Sequence, residues 1–177
     1  MELVKNFTQS KLIKNLFIAI IGTVMLAIAA KIKIPFYPVP MTMQTLIVLI
    51  IGIGFGWKLG VTTISLYLFE GIIGLPVFSG TPEKGLGLVY FTGPTMGYLI
   101  GFLSACYLAS FVKFNDNFFY IVVKLTLAAS TIYLFGVIWL GTLIGWEKPI
   151  FSLGVAPFLI AEIFKVLLLS LLAKKLV

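Results

Sequence analysis

The sequence contains no arginine and no histidine, one cysteine and only six acidic residues. Without histidine, the commonest metal ligand and the usual acid/base group near neutral pH are missing. Cys106 alone can form no internal disulfide and has no partner for a metal set, so it reads as a small residue packed between helices. No GxxxxGK[ST] phosphate loop occurs, and the glycines of GIGFGWKLG and GLGLVY lack both dinucleotide-binding spacing and a strand context. No Ser–His or paired-carboxylate constellation supports hydrolysis. The chain is therefore expected to be no enzyme, with no catalytic residue, metal or cofactor. Energy for any transport would have to come from another subunit.

Charge of either sign is scarce. Charged residues make up 11% of the 177 and hydrophobic ones 60%, against about 25% and about 45–50% in an ordinary soluble domain. Much of any folded surface must face solvent, so this composition excludes a soluble enzyme, a disordered tail and a nucleic-acid binder. The 13 basic residues, all Lys, give a net charge of +7. They fall mostly at the ends of apolar runs, which is the pattern of orientation in a lipid bilayer and not of a phosphate-tracking patch.

About 20 apolar residues cross a bilayer core as a helix. Six runs qualify, at about 12–30, 42–57, 59–78, 94–112, 118–143 and 150–173. They predict an all-α integral membrane protein: one compact bundle of six transmembrane helices with irregular outer loops, forming a single membrane domain over 1–177. The first run has a basic flank but no clear small-x-small cleavage site before Lys31, so it reads as retained. If the N-terminus is cytoplasmic, that side collects Lys5, Lys11, Lys14, Lys58, Lys113, Lys174 and Lys175. The other side collects Lys31, Lys33, Lys84 and Lys148. This bias predicts a cell (inner) membrane protein with both termini inside. The glycosylation sequon Asn6-Phe7-Thr8 carries little weight at such a terminus.

Two outer connections stand out. KIKIPFYPVPMT holds Pro35, Pro38 and Pro40, each fixing φ and donating no backbone hydrogen bond. It reads as a stiff strap carrying Phe36 and Tyr37, either a lid over a pocket or a rigid connector in the headgroup belt. GLPVFSGTPEKGLGLVYFTGPT is rich in Gly and Pro. Irregular backbone at membrane depth survives only where it is buried in protein or lines a polar cavity.

Four ionisable residues fall inside the runs: Glu70, Lys124, Glu162 and Lys165. Each costs about 2.5–3.5 kcal/mol at a helix centre on insertion scales. Lys124 lies close enough to a run's end to snorkel. Glu70 faces either a cavity or the outer interface. Glu162 and Lys165 lie three apart in FLIAEIFKVLL, on one helix face, too deep to escape. They are either a self-neutralising pair or the polar wall of a cavity for a small, polar, anionic solute. On the first helix Ala19, Thr23 and Ala27 form a small-residue stripe, which either packs inside the bundle or docks a partner subunit.

IPFYPVPMTMQTL, GLPVF, GPTMGYLIGF, YLFGVIWL and GVAPFLIAEIFK together resemble the BioY family, the biotin-capturing substrate subunits of energy-coupling-factor transporters. The likeness runs from about Lys31 to Ala173. It implies six helices, cytoplasmic termini, and a partner module of one transmembrane coupling subunit and two ATPase subunits. The coupling subunit would meet the stripe of Ala19, Thr23 and Ala27. In that family an acidic residue followed three positions later by Lys contacts the vitamin. Lys165 matches, and Glu162 stands where Asp is more usual. Gly97 and Tyr98 keep a family pair, with Met96 replacing a frequent glycine. The implied biotin site then takes Glu162 for a ureido N–H and Lys165 for the ureido carbonyl or the tail carboxylate. Gln44, Ser79 and Gly80 are further polar candidates, and Phe36, Tyr37, Tyr90 and Tyr98 form an apolar wall. Rival readings are a substrate subunit for another vitamin (lipoate or thiamine) and a structural membrane protein with no solute.

Overall fold

The computed structural model describes residues 2–175, with side chains from residue 11 onward; Lys5 and the Asn6-Phe7-Thr8 sequon therefore lie outside the described side chains. Helix α1 is Glu2–Lys31, α2 Gln44–Ile72, α3 Leu88–Phe91, α4 Met96–Ala109, α5 Phe118–Ile144, α6 Ile150–Gly154 and α7 Leu159–Lys175, with a 3-10 turn at Ala156–Phe158. Two short strands, β1 (Lys33–Ile34) and β2 (Met41–Thr42), pair antiparallel and close the proline strap into a small hairpin.

Four segments are long and apolar enough to cross a membrane: 11–31, 44–72, 118–144 and 150–175. The segment 44–72 is not one rod. Gly56 sits at φ 71° and ψ 174°, outside the helical region and at a sign of φ that only glycine adopts cheaply. The Gln44 amide reaches the Tyr67 hydroxyl at 2.8 Å although 23 residues separate them, so α2 doubles back as an antiparallel pair of arms. These arms are the expected runs 42–57 and 59–78. The second ends early, because helix stops at Ile72 and residues to Phe78 continue as irregular backbone. The run 94–112 contracts to the 14 residues of α4.

The bundle is apolar on the outside as well as within. Leu12, Phe17, Leu127, Ile160 and Phe164 are among its many exposed large hydrophobics, as befits a surface solvated by lipid. Where lipid is the solvent, helices associate through close packing more than through apolar burial. Gly97 and Gly101 supply it. A Cβ at Gly97 would lie 2.4 Å from the Phe135 carbonyl oxygen, and one at Gly101 2.7 Å from the Ile132 Cα. Helix α4 therefore lies backbone-to-backbone on α5 and also packs on α2, while α1 covers α2 and α7 covers α5.

The first-helix stripe is used here. Ala19 and Thr23 are buried, and Gly22 between them faces Thr63, Phe55 and Ile51 of α2. Ala27 is half-buried. Packing inside the bundle, one of the two readings left open, thus engages Ala19 and Thr23, while Ala27 keeps part of its surface. Lys124 does snorkel: it pairs with Asp116 and the Phe111 carbonyl in the α4–α5 loop.

Replacing Gly101 by Leu forces a side chain into the α5 backbone. It should cost at least the about 1–3 kcal/mol of an overpacked core, read as a lowered melting midpoint in detergent. Gly54→Ala, where a Cβ meets nothing within 4 Å, should leave the midpoint unchanged.

Candidate functional site

The sequence GVAPF breaks the last run. Helix α6 stops at Gly154, a 3-10 turn carries Pro157, and α7 restarts at Leu159. One continuous span over 150–173 was expected, and the break matters. It places Glu162 in the first turn of α7, where the free N–H groups and the helix dipole favour negative charge.

Glu162 and Lys165 are each only 6% exposed. Lys165 donates to Glu162 Oε1 at 2.7 Å, to Thr45 Oγ1 at 2.9 Å and to the Thr42 carbonyl at 2.8 Å. All three ammonium protons are thereby used. Thr45 Oγ1 in turn donates to Glu162 Oε1 at 2.7 Å. One carboxylate oxygen is saturated, while the other, Oε2, is buried with no hydrogen bond within 3.5 Å among the described residues, the Tyr133 hydroxyl standing close by. A second buried atom shares that condition, Ser79 Oγ. Buried polar atoms without a partner are rare in folded proteins and call for an explanation.

Glu162 and Ser79 line one cavity, together with Gln44, Thr45, Tyr90, Tyr98, Tyr133 and Phe158. Its volume is about 50 Å³. As folded it admits a few waters, and a larger solute must push its walls apart. Two of the tyrosines are fixed by their hydroxyls. Tyr90 donates to the Ser79 carbonyl at 2.8 Å and Tyr98 to the Gly154 carbonyl at 2.9 Å. Gln44 is tied to Tyr67, which donates onward to the Val77 carbonyl at 2.9 Å. Ser79 itself rides on a loop clamped by Lys31, whose ammonium meets the carbonyls of Pro76, Phe78 and Thr81 at 2.8–3.2 Å.

Of the expected site residues, Glu162, Gln44, Ser79, Tyr90 and Tyr98 meet at this cavity. Lys165 does not line it; its ammonium is spent on Glu162, Thr45 and the Thr42 carbonyl directly behind the wall. Gly80 is not in the lining either, and takes the stem of Lys84 across its bare Cα. Phe36 and Tyr37 face a separate outer cavity, Tyr37 being 89% exposed. Glu70 is half-buried and lines neither cavity. Thr42, Thr45 and Tyr133 were missed. In the sequence they are ordinary residues of apolar runs, and only the fold brings the two threonines against a helix more than 110 positions away.

A family model described as the BioY family matches residues 4–177. A protein from Pyrococcus horikoshii named "Probable biotin transporter BioY" is 33% identical over 150 residues, which span 85% of this chain and 88% of that one. "Biotin transporter BioY" of Thermotoga maritima is 31% identical over 164 residues, 92% of this chain and 95% of its own. A crystal structure described as the S-component for biotin from an ECF-type ABC transporter superposes with a TM-score of 0.77 at 24% identity, covering 94% of this chain and 92% of that one. At that identity the superposition speaks to the fold.

Lys165→Met leaves Glu162 charged, buried and short of a partner. It should lower stability without solute by about 3–5 kcal/mol, measured by thermal unfolding in detergent. Lys165→Met combined with Glu162→Met removes both charges and should restore most of that loss.

Proposed function

Because the chain belongs to the BioY family, a family of multi-pass membrane transport proteins, we propose that it captures biotin from outside the cell and hands it across the membrane as the substrate-specific subunit of an ATP-driven transporter. The observation that carries this reading is the pair of partnerless polar atoms, Glu162 Oε2 and Ser79 Oγ, on two residues that line one cavity of mixed polar and aromatic walls. Biotin's ureido ring offers two N–H donors and a carbonyl. Glu162 Oε2 accepts one N–H, a charge-assisted bond of the stronger kind. Ser79, donor and acceptor at once, is the second polar contact. The thiophane ring lies against Tyr98, Phe102, Ile132 and Phe158, which also line the cavity. Lys165 and Thr45 act through Glu162, holding Oε1 so that Oε2 is left for the solute.

In this reading the six rods are six crossings of the bacterial inner membrane, with both termini cytoplasmic, within one membrane domain. The two arms of α2, about 18 and 24 Å long at 1.5 Å per residue, and α4, about 21 Å, cross in a locally thinned layer. The proline strap closes the outer end, because Phe36 of the strap packs edge-on against Phe158 of the cavity wall at 5.9 Å. Energy comes from two ATPase subunits through a transmembrane coupling subunit. That subunit meets the first helix, where Ala27 of the stripe keeps part of its surface.

Purified protein should bind labelled biotin saturably, with unlabelled biotin competing and lipoate and thiamine failing to compete. Glu162→Gln and Ser79→Ala should each weaken binding, the first by about 10- to 100-fold, the value of a hydrogen bond to a charged group. Absence of saturable biotin binding defeats the proposal. Displacement by lipoate or thiamine at equal concentration reassigns the vitamin, and no binding of any of the three returns the chain to a structural role.

A further inference from the structure

The inner cavity has no cation for a carboxylate. Its one charged lining residue is Glu162, and the Lys165 protons are all taken. An anionic solute must therefore find its charge partner elsewhere. Directly outside lies the second cavity, lined by Phe36, Tyr37, Lys84, Tyr90, Gly93 and Thr95 among others. It is the roomier of the two, with about 450 Å³ open to water centres against about 50 Å³ inside, and Tyr90 and Thr95 belong to the walls of both.

Lys84 is the one charged group in this outer lining. Its stem is laid across Gly80, with Cδ 2.9 Å from where a Cβ would stand. Gly80 has φ 78°, so the position is built for glycine on two counts. The Lys84 ammonium has neither a carboxylate nor a hydrogen-bond acceptor among the described residues. Partial burial first, and the charge of Lys33 second, lower its proton affinity from the ordinary lysine value. Both effects describe a cation short of an anion.

We propose that the outer cavity is a docking site for small amphipathic carboxylic acids, in which Lys84 takes the carboxylate and Phe36 and Tyr37 cover the apolar body before the inner cavity opens. This rests on the reading of the inner cavity as a biotin site and adds a distinct first step to it. Capture is then sequential. The acid reaches the outer cavity rapidly, drawn by Lys84 and Lys33. Its ring passes the shared wall of Tyr90 and Thr95 only when the Phe36–Phe158 contact parts.

The two steps separate kinetically. Trp139 donates from its indole nitrogen to the Gly93 carbonyl at 2.9 Å, at the wall of the outer cavity, and is a built-in fluorescence reporter. Rapid mixing with excess biotin should give an observed rate that saturates with concentration. Lys84→Gln should raise the half-saturating concentration about two- to fivefold, the range of an exposed ion pair, leaving the plateau rate unchanged, while Lys84→Arg should behave as wild type. Biotin methyl ester, which has no charge to place, should respond equally to all three proteins. The proposal is overturned if the rate stays linear in biotin, if Lys84→Gln matches wild type, or if Lys84→Gln slows acid and ester alike. In each of those cases equilibrium binding by the wild type still stands, so the biotin site survives. Failure of the wild type to bind biotin at equilibrium removes both.

Discussion

One buried ion pair organises this molecule. Glu162 and Lys165 sit a turn apart in a helix surrounded by lipid-facing residues, and neither charge could remain there alone. Desolvating two ions is repaid only by close geometry and by hydrogen bonds that satisfy what is left over. The structure supplies them unevenly. Thr42 and Thr45, brought from the other end of the strap, complete the shell of Lys165 and of Glu162 Oε1. The break at Gly154–Phe158 brings the start of α7 to within one turn of the carboxylate. Of the pair's own polar atoms, only Oε2 is left without a hydrogen bond among the described residues. A pair retained for stability alone would leave no such atom, and apolar side chains of similar volume would serve stability as well.

The surroundings of that pair are held by contacts that do not depend on apolar burial, as lipid requires. Helix α4 is drawn onto α5 by Gly97 and Gly101, which fixes Tyr98 between them with its hydroxyl on Gly154. The irregular backbone after α2 is held by the Lys31 ammonium on three of its carbonyls, and Ser79 is carried within that clamped stretch. Phe78 is stacked on Tyr90 at 4.8 Å and edge-on to Tyr67 at 5.3 Å. Gly/Pro-rich backbone that a sequence reader would take for a loose loop is thus the rigid half of the cavity, as irregular backbone at membrane depth has to be.

Much of this was legible beforehand. Composition dictated a lipid-solvated fold. The i, i+3 spacing of Glu162 and Lys165 put them on one face, and the order of the motifs named the family. What could not be read was the direction of each hydrogen bond. Nothing in FLIAEIFKVLL says that Lys165 spends its protons on Thr42 and Thr45, because those contacts depend on where α2 begins relative to α7. The doubling of α2 at Gly56 was visible as two short runs, whereas the break at GVAP was read through, since its flanks are equally apolar. The stripe of Ala19, Thr23 and Ala27 showed that something packs closely there, and small residues cannot say whether the neighbour is another chain or the next helix.

The placement of charge has a consequence for any movement of the site across the bilayer. A lone carboxylate carried through a potential of 100 mV exchanges about 2.3 kcal/mol with it. Glu162 is paired with Lys165 on the same helix, 2.7 Å away, so the pair is neutral as a unit and any displacement of it would not be biased by the membrane potential. Lys84, which does carry an unbalanced charge, lies in the outer loop and not on the helices that frame the inner cavity. Of the two cavities, only the outer one holds an unpaired charge, Lys84, and the inner one presents dipoles and one half-used carboxylate. A neutral interior behind a cationic vestibule suits a solute with a neutral polar ring at one end and a carboxylate at the other.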